Sequence, residues 1–522
     1  MIQNLLRDSG FARLYVPLAP LYLAPLVATT FLPAFDLPHH LSVVDALTKA
    51  NDPHSPYARD FIVGLEVAPF AVHFVILRAL AQIMSVGIAA KVLVGAVILA
   101  LPLVTARLLA VLGRDTTPAL LALPLAYSMP LHFGLIAYVV ALPFLVWMVA
   151  EGSNENGWRE HPLQTAVVFG ALSLMTFFAH LEAWAFGVVA AFVAILLSSV
   201  SWRSRVLALA SVVPSLMLCG FFMFRTAINP QFRDEPSFVG ALVGSRLYEL
   251  GERGIVFDVL SRIRGLPIHL LRGFNDGSDV VAARVFFALI AVAMAIGLVS
   301  WARRVPRVLP RPSAASGLIA VGLLAYVGLP HHIVHAHSIY PRFAVVLALL
   351  LLLTIPSWFS AKKAGVAACV AILLAVHGVD VVRHYAAFGR ELADFEQAVK
   401  ASPAGRRSGG LVFAAESTVM NVGGIFTGIP VYYVTERKAP RSSTWLYYCV
   451  DPQFPCRMRD PNRVPPVPHF TYPEQFNSAR WAEDLDLLFV RGGPPAEKIF
   501  GNESSRVRLI AESGLWRVFA RQ

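Results

Sequence analysis

The sequence predicts a polytopic α-helical membrane protein with about eleven transmembrane helices and a small C-terminal α/β or α+β domain. Hydrophobic residues make up 56% of the 522 residues and charged residues only 15%, whereas a soluble domain carries about 25% charged residues. Mean hydropathy is +0.61. The apolar residues fall in runs of bilayer-spanning length, and these runs end near Val382.

The predicted spans are helices because only helices and closed barrels satisfy the backbone in lipid, and these runs lack the alternation of a barrel. The net charge of +11 comes from short Lys and Arg clusters between the runs. Such clusters are typical of topology signals and exclude a nucleic-acid-binding arm. The spans are Leu14–Ala34, Gly87–Thr105, Thr116–Leu131, Phe133–Ala150, Leu163–Ala179, Ala183–Val200, Val206–Phe224, Val281–Ser300, Ser313–Leu329, Phe343–Phe359 and Ala364–Val382.

The stretch Glu66–Ser85 is apolar but contains His73, Arg78 and Gln82. It fits either a twelfth span or an amphipathic helix in the membrane interface. As a span it would place the basic cluster of residues 303–311 outside, against the positive-inside rule. We therefore predict an interfacial helix within a first outer loop, residues 36–86.

The remaining organisation follows from this topology. We predict a transmembrane domain at residues 1–385, a second large outer loop at residues 225–280, and an outer C-terminal domain at residues 386–522. In the last of these, Leu411–Ala415, Leu485–Arg491 and Val507–Phe519 have the composition of strands, and a turn at Ser513-Gly514 breaks the third segment. Cys449 and Cys456 lie there with six residues between them, so a disulfide and two free thiols are both open alternatives.

The unusual polar groups of the membrane domain cluster on the predicted outer side. Ionisable residues at membrane depth are costly and usually face a cavity or a partner, so this one-sided cluster predicts an outward-facing polar cavity. Its candidate residues are Asp36, His39, His40, His132, His180, Glu182, His331, His332, His335, His337 and Arg342.

Each candidate also has a structural interpretation. Asp36, two residues before Pro38, suits a helix-capping carboxylate. The histidines suit a solvated bilayer surface, although His331 and His335 also have the spacing of a metal site. Arg342 suits a membrane anchor, or an anion site because it lies against the positive-inside trend.

The arrangement resembles the GT-C superfamily of polyprenyl-phosphate-sugar-dependent glycosyltransferases. The resemblance rests on the carboxylate after the first span in the context Asp36 to His40, and on a large first outer loop with an interfacial helix. It also rests on the turn between Arg107 and Arg114, and on the entry Tyr340-Pro341-Arg342-Phe343 to a late helix. The first loop has no clear D-x-D or E-x-D motif, which leaves a divalent metal open and the metal ligands unknown.

This resemblance implies an inverting transfer in which Asp36 is the catalytic base. The substrate-binding residues would be His39, His40, His180, Glu182, His331, His332, His335 and Arg342. The implied partners are a polyprenyl-phosphate-linked sugar, a glycan, lipid or protein acceptor, and the lipid bilayer; no cofactor is certain. Separately, the Arg-rich basic loops favour a bacterial inner membrane, with the site and the C-terminus on the periplasmic face.

Two alternatives use the same polar groups. A transporter or flippase for a lipid-linked glycan would use the histidines as a proton relay, although internal repeats and midplane helix breaks are not apparent. An oligosaccharide ligase with a lipid-diphosphate donor would also require His and Arg. The sequence leaves the sugar and the acceptor undetermined.

Overall fold

The computed structural model describes residues 9–49, 52–53, 55, 61–63, 68–228, 238–302, 313–333, 337–355, 364–437, 456–458, 473–478 and 485–522. Its long helices are α1 (Ser9–Val27), α2 (Leu37–Lys49), α3 (Val72–Leu80), α4 (Val86–Val111), α5 (Ile136–Gly152), α6 (Pro162–Ala179), α7 (Leu181–Leu197), α8 (Trp202–Ile228), α9 (Phe238–Arg253), α10 (Ile255–Leu271), α11 (Ser278–Ala302), α12 (Ala314–Gly328), α13 (Ile339–Leu351) and α14 (Ala364–Ala401).

The helices form a multi-pass membrane bundle. Among the described residues, six helices are long and apolar enough to cross a membrane, namely those that hold α1, α4, α6, α8, α11 and α14. Four shorter apolar helices, α5, α7, α12 and α13 extended to Thr354, pack among them. The prediction of a membrane helical fold is confirmed, while the predicted number of spans stays a prediction.

One predicted span differs from the single helix that its hydropathy indicates. Residues 116–131 do not form a continuous helix but three short pieces: a 3-10 helix at Thr117–Leu121 and α-helical turns at Ala122–Leu125 and Met129–His132. The cause is the sequence itself, because Pro118, Pro124 and Pro130 each lack an N–H donor and restrict the preceding residue. The segment is buried in the bundle and leads from the end of α4, where Arg107 pairs with Glu151, to His132 beside Asp36.

The region predicted to hold an interfacial helix contains α3. Nine residues of helix are about 14 Å long, roughly half the thickness of a hydrocarbon core. Its Phe74 and Leu77 are buried against the bundle, while Val75 is exposed. A helix of this length cannot span the bilayer, which removes the basis for a twelfth span here; its interfacial position stays a prediction.

The C-terminal domain contains a four-stranded mixed sheet in the order β2 (Ser408–Val412), β4 (Leu487–Arg491), β6 (Trp516–Arg521) and β5 (Val507–Ser513). The strands β2 and β4 are parallel and the other neighbours antiparallel. The predicted strands are thus present. A separate antiparallel pair joins β1 (Phe61–Val63) to β3 (Cys456–Met458) and so links the first loop to the C-terminal region. Cys449 lies outside the described residues, so the disulfide stays a prediction.

The helix α14 connects the two parts of the chain. It has 38 residues, which gives a length of about 57 Å, and it continues from an apolar half into a polar half. Its apolar half packs against α1, where the Tyr22 hydroxyl donates to the Leu374 carbonyl over 3.1 Å. In its polar half, Phe395 packs against Trp516 of β6 with ring centroids 4.9 Å apart. The C-terminal sheet therefore packs directly against a helix that continues from the bundle.

Candidate active site

Asp36 lies in the link between α1 and α2, where its backbone is fastened to the end of the proline-broken segment. The Phe35 N–H donates to the His132 carbonyl over 2.9 Å, and the Asp36 N–H donates to the Phe133 carbonyl over 3.2 Å. Gly134 follows with a φ of +79°, and a Cβ there would lie 2.4 Å from the Asp36 nitrogen. Only glycine permits this approach, so Gly134 fixes where Asp36 begins its helix.

The Asp36 carboxylate is half-buried and accepts no hydrogen bond within the described part of the chain. The two amides near the start of α2, those of His39 and His40, donate to the Asp36 backbone carbonyl instead of its side chain. The capping interpretation is therefore wrong for this carboxylate. Burial raises the pKa of Asp36 to about 7, with the positive charge of Arg342 opposing part of the rise. A carboxylate with this pKa is suited to accept a proton near neutral pH.

Arg342 stands close enough to Asp36 to act on its charge. It lies in the first turn of α13 and is 8% exposed. Its Nη1 donates to both Glu182 carboxylate oxygens, each over 3.2 Å, and its Nη2 donates to the His337 carbonyl over 2.6 Å. Its Nε–H is buried with no acceptor in the described structure. The guanidinium is thus held in place with a donor still unused, which is the arrangement expected of a ligand-binding arginine.

His180 lies at the junction of α6 and α7, two residues before Glu182. Its ring stands edge-on to Phe70 at 4.8 Å and to Tyr138 at 5.1 Å between centroids. The Tyr138 hydroxyl donates to the Arg342 carbonyl over 2.9 Å. Burial, and then the charge of Arg342, holds the pKa of His180 well below its usual value. The imidazole is therefore neutral at pH 7, and its buried Nδ1 has no partner among the described residues.

Two strained backbone positions border this group. Phe70 has a φ of +74° and Ser338 a φ of +57°. A left-handed conformation is rare for non-glycine residues, above all for a bulky one, and such strain is most common at functional sites. Phe70 contacts His180, and Ser338 immediately precedes the helix that carries Arg342. The strain therefore lies where Arg342 and His180 are positioned.

His39 and His40 extend the site along α2. The His40 Nδ1 lies 3.2 Å from the Nε2 of His73 on α3. Burial lowers the pKa of His40 to about 4, and burial together with the charge of His40 lowers the pKa of His39 to about 3. Burial, followed by the charges of His40 and His180, also lowers the pKa of His73 well below its usual value. These residues form a row of neutral imidazoles beside Asp36.

The predicted histidine cluster before α13 divides into separate environments. His337 contributes its carbonyl to Arg342, and its ring lies 6.2 Å from that of His332. The His331 N–H donates to the Glu249 carboxylate over 2.6 Å, on the neighbouring α9. His335 lies outside the described residues. Among the residues described, no three His, Cys, Asp or Glu side chains are grouped so that they could hold a metal ion.

The sequence alone did not identify His73, Tyr138 or Gly134 as members of the site. His73 was noted only as a polar residue in an apolar stretch, and its contact with His40 crosses between two helices. Tyr138 lies within an apolar span, and no motif in the sequence indicates that it contacts Arg342 and His180. Gly134 follows His132 in the chain, and only the positive φ shows why glycine is needed there.

Comparisons with known proteins concern the fold. The sequence matches no family model and no curated protein. Its structure is similar to the crystal structure of ArnT from Cupriavidus metallidurans bound to undecaprenyl phosphate, with a TM-score of 0.56, 12% identity and coverage of 98% of both chains. The apo state of the same protein gives a TM-score of 0.52 at 12% identity, again over 98% of both chains. The chain therefore shares the membrane fold of this ArnT along nearly its whole length.

Proposed function

We propose that this protein is a membrane glycosyltransferase that moves a sugar from a polyprenyl-phosphate donor to an acceptor hydroxyl, with inversion. The observation that carries the proposal is the Asp36 carboxylate, which has a pKa raised to about 7 and no hydrogen-bond partner in the described structure, and which lies within the influence of Arg342. The fold shared with a protein crystallised with undecaprenyl phosphate supports a lipid-linked donor.

In the proposed reaction Asp36 removes the proton from the acceptor hydroxyl as that oxygen attacks the anomeric carbon. The new bond joins the acceptor oxygen to the sugar. The bond between the sugar and the phosphate oxygen breaks, and the lipid phosphate leaves with the electron pair. General-base assistance of this kind accelerates a reaction by roughly 10²- to 10⁴-fold.

Arg342 is the proposed partner of the donor phosphate. Its planar guanidinium suits phosphate oxygens, and its unused, buried Nε–H gives it a donor for a ligand. The ion pair with Glu182 holds the guanidinium in one orientation, which lowers the entropy lost when the ligand binds. Charge that develops on the departing phosphate is stabilised by such a fixed donor more than by a mobile one.

The histidines keep, as part of this proposal, the substrate-binding role that the sequence resemblance implied. His39, His40 and His180 are neutral at pH 7 because burial depresses each pKa, so they supply hydrogen bonds rather than positive charge. Neutral imidazole both donates and accepts, which suits sugar hydroxyls. We place the sugar or acceptor beside His180 and Glu182, and the phosphate toward His332 and His337.

The site end of the bundle is proposed to face the periplasm of a bacterial inner membrane. The support is the distribution of Lys and Arg among the predicted loops, with the basic cluster of residues 303–311 on the opposite side. The hexose or pentose, the acceptor and a metal requirement stay open.

The test is incubation of the purified protein in lipid nanodiscs with a panel of undecaprenyl-phosphate sugars and candidate acceptors. The expected result is acceptor-dependent loss of the lipid-linked sugar, detected by mass spectrometry as free undecaprenyl phosphate. Movement of a lipid-linked glycan across proteoliposomes without bond cleavage would contradict the proposal and favour a transporter. Reaction only with lipid-diphosphate glycans would favour a ligase.

A further inference from the structure

The helices α9 and α10 form a hairpin in which polarity is the reverse of that in a soluble protein. They are joined at Gly254, whose φ of +73° turns the chain between them. Four charged residues lie on the face toward the bundle, and the face away from it is mainly apolar, although Glu252 and Arg264 are also exposed. In water the opposite arrangement is stable, because apolar burial drives folding.

The inward face is held by four charged residues. Arg246 Nη2 lies 2.6 Å from the Asp258 carboxylate and Arg246 Nη1 lies 3.2 Å from that of Glu249. Arg262 Nη2 lies 2.7 Å from Glu249. Asp258 is 1% exposed and Arg262 is 2% exposed. Two positive and two negative charges balance, so the group is neutral as a unit; we call it the ion quartet.

The outward face carries large apolar side chains with nothing in the described structure to cover them. Ile255 is 66% exposed and Phe257 is 65% exposed. The others on this face are Val243, Leu247, Val256, Leu260, Ile263 and Ile268. Isolated exposed apolar residues are ordinary, but a continuous patch of this kind marks an interaction site.

The apolar patch continues onto the surface of a helix that is long and apolar enough to span the membrane. The helix α10 packs against α11, a helix long and apolar enough to span the membrane. Exposed Val281, Val285 and Leu289 of α11 continue the apolar surface. Because the apolar face of the hairpin continues the apolar surface of a membrane-spanning helix, we expect both surfaces to contact the hydrocarbon of the bilayer.

We propose that the outward face of the α9–α10 hairpin is immersed in the lipid of the leaflet at the site end of the bundle. The ion quartet then faces protein and the apolar side chains face acyl chains, so each surface has a suitable neighbour. This inference goes beyond the proposed function and does not depend on it.

The hairpin also contacts the segment that leads to Arg342. The Arg262 guanidinium lies over the Tyr340 ring, 3.8 Å from its centroid, and its Nη1 donates to the Leu329 carbonyl. Glu249 accepts from the His331 N–H. The lipid-immersed hairpin therefore forms a wall behind the entry to α13 and fixes Tyr340, two residues before Arg342.

The test uses nitroxide labels on cysteines introduced at Leu260 and Ile263, with Cys219, Cys369, Cys449 and Cys456 replaced by alanine. The protein is placed in nanodiscs of phosphatidylethanolamine and phosphatidylglycerol. Power saturation compares collisions with oxygen, which concentrates in lipid, against collisions with a water-soluble nickel chelate. Ile372 on the spanning part of α14 is the lipid control, and Glu512 on β5 is the water control.

The expected result is that Leu260 and Ile263 match Ile372, with collisions with oxygen several-fold above those with nickel. A label at Phe257 gives a second probe on the same face if either variant elutes abnormally in size-exclusion chromatography. A nickel response like that of Glu512 would overturn the proposal, since the face would then be in water. Low collision with both reagents would also overturn it and indicate a second copy of the chain or another protein on this face.

Discussion

The substitution Asp36→Asn tests the central chemical claim. Asparagine keeps the size of the side chain and removes its ability to accept a proton. Because the Asp36 carboxylate makes no hydrogen bond to protein in the described structure, the substitution breaks no structural contact recorded there. The folded protein should therefore survive, while kcat/KM falls by about 10²- to 10⁴-fold, or roughly 3–5 kcal/mol in the activation free energy.

The pKa of Asp36 gives this prediction a second readout. Asp36 must be ionised to act as a base, and burial raises its pKa to about 7. As pH falls below 7 the protonated fraction grows, so kcat/KM should fall about tenfold per pH unit. An ordinary aspartate, with a pKa near 3.9, would give a flat profile between about pH 5 and pH 8. The Asn variant should keep only a small, flat residual rate over the same range.

The assay is release of undecaprenyl phosphate in nanodiscs with the best donor from the panel, measured between pH 5 and pH 9. Asp115→Asn is the matched control, because Asp115 lies beyond the far end of α4 and the asparagine oxygen can still accept from the Thr117 N–H. It should retain wild-type activity and pH profile. Wild-type turnover by Asp36→Asn, or a wild-type profile flat from pH 5 to pH 8, would refute the assignment of Asp36 as base.

Three further predictions follow from contacts around the site. Gly134→Ala should lower kcat strongly, because the new Cβ would displace the Asp36 backbone. Gly113→Ala, also at positive φ but with open space around it, should lower only the stability of the protein. Equal kcat values for the two variants would contradict the positioning role of Gly134. Arg342→Ala should reduce kcat/KM by about 10- to 100-fold, as for one charged hydrogen-bond partner, and unchanged donor kinetics would reassign Arg342 to anchoring. Arg262→Met should lower the free energy of unfolding by about 3–5 kcal/mol, because it removes one partner of the buried carboxylates. Arg159→Met, which breaks an exposed ion pair, should change it by at most about 1 kcal/mol. Thermal melts in detergent compare the two variants.

Much of the fold was predictable because hydropathy and charge act locally. Apolar runs predicted most of the bundle helices within a few residues, and strand-like composition predicted strands in the C-terminal region. The broken helix at residues 116–131 could have been predicted from its prolines. Hydropathy sums treat proline as a mild residue, whereas its backbone chemistry divides the run into separate turns.

The site was predictable only in part, because its contacts join distant parts of the chain. The positive-inside rule placed Asp36, His180, Glu182 and Arg342 in loops on the same side of the membrane. In the structure, Glu182 and Arg342 form an ion pair. The sequence could not reveal that His73 meets His40, since that contact depends on how two short helices cross. The sequence also could not reveal the ion quartet. A helix with its charged face toward the bundle has the same period of apolar residues as a helix with its apolar face toward the bundle.

The pairing of buried charges across the described structure separates Asp36 from the other carboxylates of the helical region. Glu151 is paired with Arg107, Asp258 with Arg246, and Glu182 with Arg342. Asp279 accepts backbone N–H groups from Gly273 and Phe274. Each of these arrangements offsets the cost of burying a carboxylate. Asp36 has a nearby positive charge but no hydrogen bond, so its ionised form is left partly uncompensated and its pKa rises to about 7. The carboxylates named above are paired or hydrogen-bonded, whereas Asp36 is left open at a strained site and incurs a stability cost there. Such a local exception is expected where a side chain serves a reaction.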